Sequence, residues 1–203
     1  MFNRLKFKFL SYLFFQLENF RKNHQIKLVL ESCKSKGKII LTNDSKIINL
    51  SKCRDKIIIG AHTSMKGELL VFENSGEILI GENCYIGENS RIWSMNKITI
   101  GSNVLISHNV NIHDNDAHPL NVDDRLRHVK QILQDGSNSI DSLDIKNSPI
   151  YISDNCWIGF NSIIFKGVTI GENSIIAAGS IVTKSIPPNV IVAGNPAKII
   201  KYL

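Results

Sequence analysis

The 203-residue sequence has no apolar run long enough to cross a bilayer, which excludes a polytopic membrane protein. Its four cysteines, Cys33, Cys53, Cys84 and Cys156, lie far apart and form no Cys-x-x-Cys pair. That spacing predicts reduced thiols in a cytosolic protein, neither a zinc site nor a disulfide framework. No helix-turn-helix, zinc or RNA-binding motif accompanies the basic residues, so nucleic acid is not expected as a partner. The first thirty residues lack both Pro and Gly, and nothing there interrupts a helix. What the chain has in plenty is isoleucine, 32 residues of it, a β-branched side chain that favours strands. At 43% hydrophobic content the chain can bury a core in one domain without staples.

Charge is divided unevenly. Residues 1–60 hold 13 Lys/Arg against 4 Asp/Glu, and the remainder holds 11 against 14. The basic part begins with a segment, residues 1–34, that is also rich in Phe and Leu. Phe2, Leu5, Phe9, Leu13 and Phe20 make a broad apolar face, flanked by Arg4, Lys6, Lys8, Arg21 and Lys22. The uncharged stretch Phe9–Leu17 is too short to span a membrane, and no small-residue cleavage site follows it. Three readings stand: a helix packed on the domain or a partner subunit, an interfacial membrane helix through residues 1–30, or a signal anchor.

From Ile152 the chain keeps a strict period of six: Ile152, Ile158, Ile164, Ile170, Ile176 and Val182 each open a block. The fifth position of each block is small or aliphatic: Cys156, Ser162, Val168, Ser174, Ser180 and Ile186. Upstream, Ile80, Ile86 and Ile92, then Ile100, Ile106 and Ile112, keep the same step, and Ile59, Met65 and Val71 keep it less cleanly. A period of six is neither helical nor a simple strand alternation. It predicts an all-β solenoid of hexapeptide repeats, three blocks to a triangular coil, with the opening aliphatics pointing inward. Gly and Asn in the Gly-Glu-Asn and Gly-Ser-Asn corners are expected to supply positive φ. At least five coils are expected within a domain of residues 35–203, and residues 35–58 would form an imperfect cap. The period breaks between His118 and Pro149, which predicts a long, polar loop excursion over 118–149 of the kind that carries function.

Three histidines cluster at five-residue steps: His108, His113 and His118. His118 stands where the next block should place an inward aliphatic. An imidazole there can take a proton from a hydroxyl, with Asp114 or Asp116 orienting the ring; otherwise it is a surface histidine that ends a coil. His108 and His113 read as corner or surface residues, with a shared metal site as the rival reading. Trp157, too large for a narrow coil, should project outward and wall a pocket beside His118, and Trp93 would shape the same cleft. Lys184, Lys198 and Lys201 place positive charge near the C-terminal end, where phosphates could meet it.

The segments ITIGSNVLISHNVNIHDNDAHPL, DNCWIGFNSIIFKGVTIGENSIIAAGSIVTKSIP and AGNPAKII resemble the hexapeptide-repeat acyltransferases, the bacterial sugar O-acetyltransferases of the maltose and galactoside type above all. The resemblance, from about Ile57 to Leu203, implies a left-handed parallel β-helix and a homotrimer with active sites between subunits. It implies acetyl-CoA as cosubstrate and a saccharide acceptor, a capsule or lipopolysaccharide sugar fitting best. His118 matches the general base, with Asp116 beside it, and Trp157 the acceptor-side tryptophan. Gly159, Ala178, Thr183, Lys184 and Lys198 match positions that contact coenzyme A, and no metal is implied. The basic N-terminus suits a cytoplasmic enzyme working at the inner membrane face. Two rival readings are a metal-dependent hydratase resembling γ-carbonic anhydrases and a non-catalytic scaffold.

Overall fold

The structure, a computed structural model, describes residues 2–73, 76–135 and 144–203. Helix α1 (Phe2–Ser32) precedes a stack of short strands. The first coil is β1 (Lys34–Ser35), β2 (Ile40–Leu41) and β3 (Lys46–Asn49). The second is β4 (Ile57–Ile59), β5 (Ser64–Met65) and β6 (Glu68–Val71), and the third β7 (Ile78–Ile80), β8 (Tyr85–Ile86) and β9 (Arg91–Ser94). The fourth is β10 (Ile98–Ile100), β11 (Leu105–Ile106) and β12 (Asn111–His113). After the excursion come β13 (Ile150–Ile152), β14 (Trp157–Ile158) and β15 (Ile163–Ile164), then β16 (Thr169–Ile170), β17 (Ile175–Ile176) and β18 (Ile181–Val182). A hairpin, β19 (Val190–Gly194) and β20 (Ala197–Tyr202), closes the chain. Every third strand joins the same sheet, so the chain turns through three parallel sheets in succession. We name these faces A, beginning with β1, B with β2 and C with β3. Six coils are complete, and the expected cap at residues 35–58 is the first of them.

The inward rows follow the period. All twelve opening aliphatics from Ile80 to Val182 named above are at most 4% exposed, and Ile59, Met65 and Val71 are fully buried. Each stacks on its counterpart one coil away, as Ile86, Ile106, Ile158 and Ile176 do along face B. Burying one such side chain is worth about 2 kcal/mol, and a single coil could not achieve it alone.

The corners correct the expected role of glycine. The left-handed backbone belongs mainly to asparagine: Asn83, Asn89, Asn103, Asn109, Asn155, Asn161 and Asn173 all have φ between 56° and 61°. The glycines two residues before these asparagines serve close approach instead, whereas Gly167 and Gly179 keep positive φ, 77° and 70°. A Cβ on Gly81 would lie 2.5 Å from the Gly101 carbonyl oxygen, and one on Gly159 would lie 2.5 Å from the Ala178 nitrogen. Asparagine tolerates the left-handed region because its short amide bonds locally. Here the amides also pair between coils: Asn103 donates to Asn155, Asn155 to Asn173 and Asn173 to Asn189, at 2.9–3.1 Å.

Helix α1 forms as expected, and among its described side chains the buried one lies near its C-terminal end. Val29 and Cys33 are buried over the first coil, and Arg54 donates to the carbonyls of Leu30 and Cys33. Phe7, Leu10, Tyr12, Leu13, Phe14, Phe15, Leu17 and Phe20 are all exposed. No helix among the described residues is long and apolar enough to cross a membrane. All four cysteines are free thiols.

Candidate active site

The excursion leaves the stack at the corner after β12 and returns at β13, between faces C and A. It is not the loop that the sequence predicts. It contains helix α2 (Val122–Asp135), while residues 136–143 lie outside the described residues. Local chemistry explains the helix. Asn121 caps it, its side-chain oxygen accepting the N–H groups of Asp123 (2.9 Å) and Asp124 (3.2 Å). Those two acids also sit at the positive end of the helix dipole. The inner face carries Asp124, His128, Gln131 and Ile132 at helical spacing. The hexapeptide period is absent here, but a helical one replaces it.

The base of the excursion is rigid. Asn115 and Asn147 pair as an antiparallel bridge, Asp116 N–H donates to the Lys146 carbonyl (3.0 Å), and Ser148 N–H to that of Asp114 (2.9 Å). Ile145 packs with Leu70, Phe72 and Met95 in a second, small core outside the coils.

Asp114 is fully buried and accepts from Ser94 Oγ (2.7 Å), Met95 N (2.8 Å), Asn96 N (2.9 Å) and Asn115 Nδ2 (3.1 Å). It ties two coils together and does not face His118. Asp116 forms an ion pair with Lys166, one coil further on at the same corner. Neither carboxylate is bonded to the His118 ring, and the expectation that one of them orients it is corrected accordingly. Asp116 serves His118 through its carbonyl, which accepts the His118 N–H at 2.7 Å across a tight turn centred on Ala117. Ala117 has φ 60°, a strained value for a residue with a Cβ and neither amide nor carboxylate. The turn throws the His118 side chain out to solvent, while Pro119 behind it is buried.

The ring of His118 meets another histidine. His118 Nδ1 lies 3.3 Å from Nδ1 of His128, with the rings tilted by 55°. His128 is only 2% exposed, and burial first, then the nearby His118, pushes its ring below the usual histidine range. The sequence reading missed His128. Helical periodicity would not have found it, because the apolar stripe of α2, Val122, Leu126, Val129 and Leu133, is exposed and His128 lies off that stripe.

The other site residues fall on separate parts of the stack. Trp157 points outward from face B, 49% exposed, and donates from Nε1 to Ser107 Oγ at 3.3 Å. Within one chain it is on a different face from the His118 corner, so a shared pocket wall is not formed. Trp93 lies on face C, stacked on His113 at 4.9 Å and donating to Glu68. His108 stacks on Phe160 at the corner between faces B and C. The same corner carries Gly159 and Ala178 in successive coils. Thr183 and Lys184 follow β18, at the corner below His118 and Lys166, and Lys198 lies on β20. Lys184 and Lys198 are exposed and have no ion-pair partner among the described residues. No group of three or more His, Cys, Asp or Glu side chains among the described residues could hold a metal ion.

A stack of six-residue coils, broken once by an excursion with an exposed histidine at its base, is the frame of a hexapeptide-repeat protein. The family described as hexapeptide repeat of succinyl-transferase matches residues 77–113 and 149–184, and in these repeats the chain resembles the hexapeptide-repeat acetyltransferases. It is 40% identical to galactoside O-acetyltransferase of Escherichia coli over 132 residues, 65% of this chain and 57% of that protein. A hexapeptide-repeat acetyltransferase of Vibrio cholerae, solved with acetyl coenzyme A, is 26% identical with a TM-score of 0.57, over 89% of this chain and 77% of that one. The N-acyltransferase AntD of Bacillus cereus shares the fold at a TM-score of 0.67 and 20% identity, covering 88% of this chain and 87% of that one. The chain spans a little over half the length of the curated relatives it matches.

Proposed function

We propose that this protein transfers an acetyl group from acetyl-CoA to a sugar hydroxyl, with His118 as general base. The observation that carries the reading is His118 itself: an exposed imidazole at the mouth of the excursion, held from one edge and open at the other. Its relatives by sequence support an O-acetyltransferase, and a structural neighbour solved with acetyl coenzyme A supports the donor. In this mechanism His118 Nε2 takes the hydroxyl proton as the hydroxyl oxygen bonds to the thioester carbonyl carbon. The C–S bond then breaks, and His118 returns the proton to the departing sulfur. Gly159, Ala178, Thr183, Lys184 and Lys198 would hold the donor, the two lysines against its phosphates.

The remaining parts of the reading follow the same resemblance. The coils wind left-handed, and three chains assemble so that Trp157 of one chain can approach His118 of the next. That supplies the meeting of the two residues that a single chain does not. The acceptor is a capsule or lipopolysaccharide sugar or its precursor. The exposed aromatic and leucine side chains of α1, with Lys8, Arg21 and Lys27 among them, favour work at the cytoplasmic membrane face.

A thiol-release assay with acetyl-CoA and a panel of sugars, nucleotide sugars and bacterial glycans tests this. Acceptor-dependent release is expected, and His118→Ala should lower it about 10²–10⁴-fold with the fold intact. Near-normal turnover in that variant would remove His118 from the role. Failure to bind any acyl-CoA would favour a non-catalytic scaffold.

A further inference from the structure

Helix α2 buries one titratable side chain fully, His128, and places it against the candidate base. A buried imidazole is a poor choice for packing alone. Its Nε2 is buried with no hydrogen-bond partner among the described residues, a cost that an aliphatic side chain would avoid. What the imidazole supplies is its other edge, the Nδ1 facing His118.

We propose that His128 is the positioning residue of His118, holding its ring by the Nδ1 edge and accepting a hydrogen bond from its Nδ1–H as His118 becomes charged. The proposal rests on the reading of His118 as the base. The two Nδ1 atoms can share only one proton between them. Once His118 has taken a second proton at Nε2, both of its nitrogens carry hydrogen, and His128 Nδ1 can then only accept. That requires His128 to stay neutral, the form that its burial and the neighbouring His118 favour. A base that works at Nε2 carries its resting proton on Nδ1, so His118 Nδ1 donates to His128 Nδ1 both before and after the second proton arrives.

The surroundings leave this task to His128. Asp114 is consumed within the coil corner, and Asp116 is paired with Lys166. Arg125, on α2, donates to the carbonyls of Pro119 and Leu120. Asp124 pairs with Arg127. None of these charged groups is bonded to either ring. His118 follows a strained turn at Ala117 and is exposed, so without His128 no side chain among the described residues would hold its ring. The excursion thus earns its helix by carrying one imidazole to one place.

The test uses the full-length protein with His128→Leu, His128→Asn and His128→Asp, read by kcat, KM and the pH dependence of kcat/KM. His128→Leu should lower kcat about 10–100-fold with the KM for acetyl-CoA unchanged. His128→Asn, which keeps an oxygen where Nδ1 stood, should recover most of the loss, whereas a packing role would be better served by Leu. His128→Asp places a carboxylate beside His118 and favours its charged form, so the acid limb should move to higher pH by about 0.5 unit or more. His128→Leu within twofold of wild type, while His118→Ala is inactive, overturns the proposal and leaves the base assignment standing. Should His118→Ala itself stay active, the base assignment fails, and an NMR titration of the His118 ring decides the pairing. A changed titration in His128→Leu supports the contact, and identical curves remove it.

Discussion

Asparagine does more in this protein than its polar character suggests. At Asn155 one side chain permits φ 58°, accepts from Asn103 and donates to Asn173. Asn155→Ala should lose both the local tolerance and the inter-coil bonds, one to Glu172 included, and unfold about 1–2 kcal/mol more easily in a denaturant titration. Asn155→Gly keeps the backbone conformation and should lose less. Equal losses in the two variants would mean that the amide pairs carry the effect and the dihedral does not. The cysteines give a second residue-scale prediction. Burial pushes the thiols of Cys33 and Cys84 up, and that of Cys156 to about 11, so at neutral pH these thiols are both protonated and hidden. Cys53 is exposed. A small alkylating reagent at pH 7.5 should label Cys53 rapidly and the other three only after denaturation. Fast labelling of Cys84 or Cys156 in the native protein would show that the coils open.

At the scale of elements, both helices expose apolar side chains, Val122, Leu126, Val129 and Leu133 on α2 among them, but they differ in what they bury. Helix α2 brings a buried side chain to the site, whereas α1 holds its apolar side chains away from the rest of the molecule. Among its described residues, burial is found at the end that caps the first coil, through Val29 and the adjoining Cys33. A helix apolar around much of its surface and without a partner is expected to find one. Full-length protein should co-sediment with anionic phospholipid vesicles at low salt, and Phe14→Glu with Phe15→Glu should weaken that binding at least about tenfold while leaving thermal stability unchanged. Vesicle binding equal in the double variant and the wild type would mean that α1 covers its apolar side chains against protein instead.

For the whole molecule, the stack divides the site. The His118 corner lies between faces C and A, Trp157 lies on face B, and the corner of Gly159 and Ala178 lies between B and C. One chain holds every residue but does not bring them together; packing of three stacks side by side would. Light scattering during size exclusion should therefore return three times the 22.8 kDa of one chain. A monomer that nevertheless turns over acetyl-CoA would require another route between Trp157 and His118.

The amino-acid sequence by itself determined the coils. A period of six is a local code: each aliphatic needs only its own strand and the next coil to be buried, so the positions from Ile80 to Val182 could be read one block at a time. His118 was legible for the same reason, since it stands where the code stops. What only the tertiary structure decided was everything that joins residues across that break. Asp114 and Asp116 lie near His118 in sequence, and the fold assigns them to Ser94 and Lys166, because a corner residue meets the next coil and not its own successor. His128 lies ten residues away, and the helix returns it to within 3.3 Å. The glycines and asparagines share the corner motifs, but which of them bends the chain and which admits the neighbouring backbone depends on the distance between coils. Sequence periodicity reports burial, which is set locally. Partnership across coils is set by the pitch of the stack and by where the excursion re-enters it.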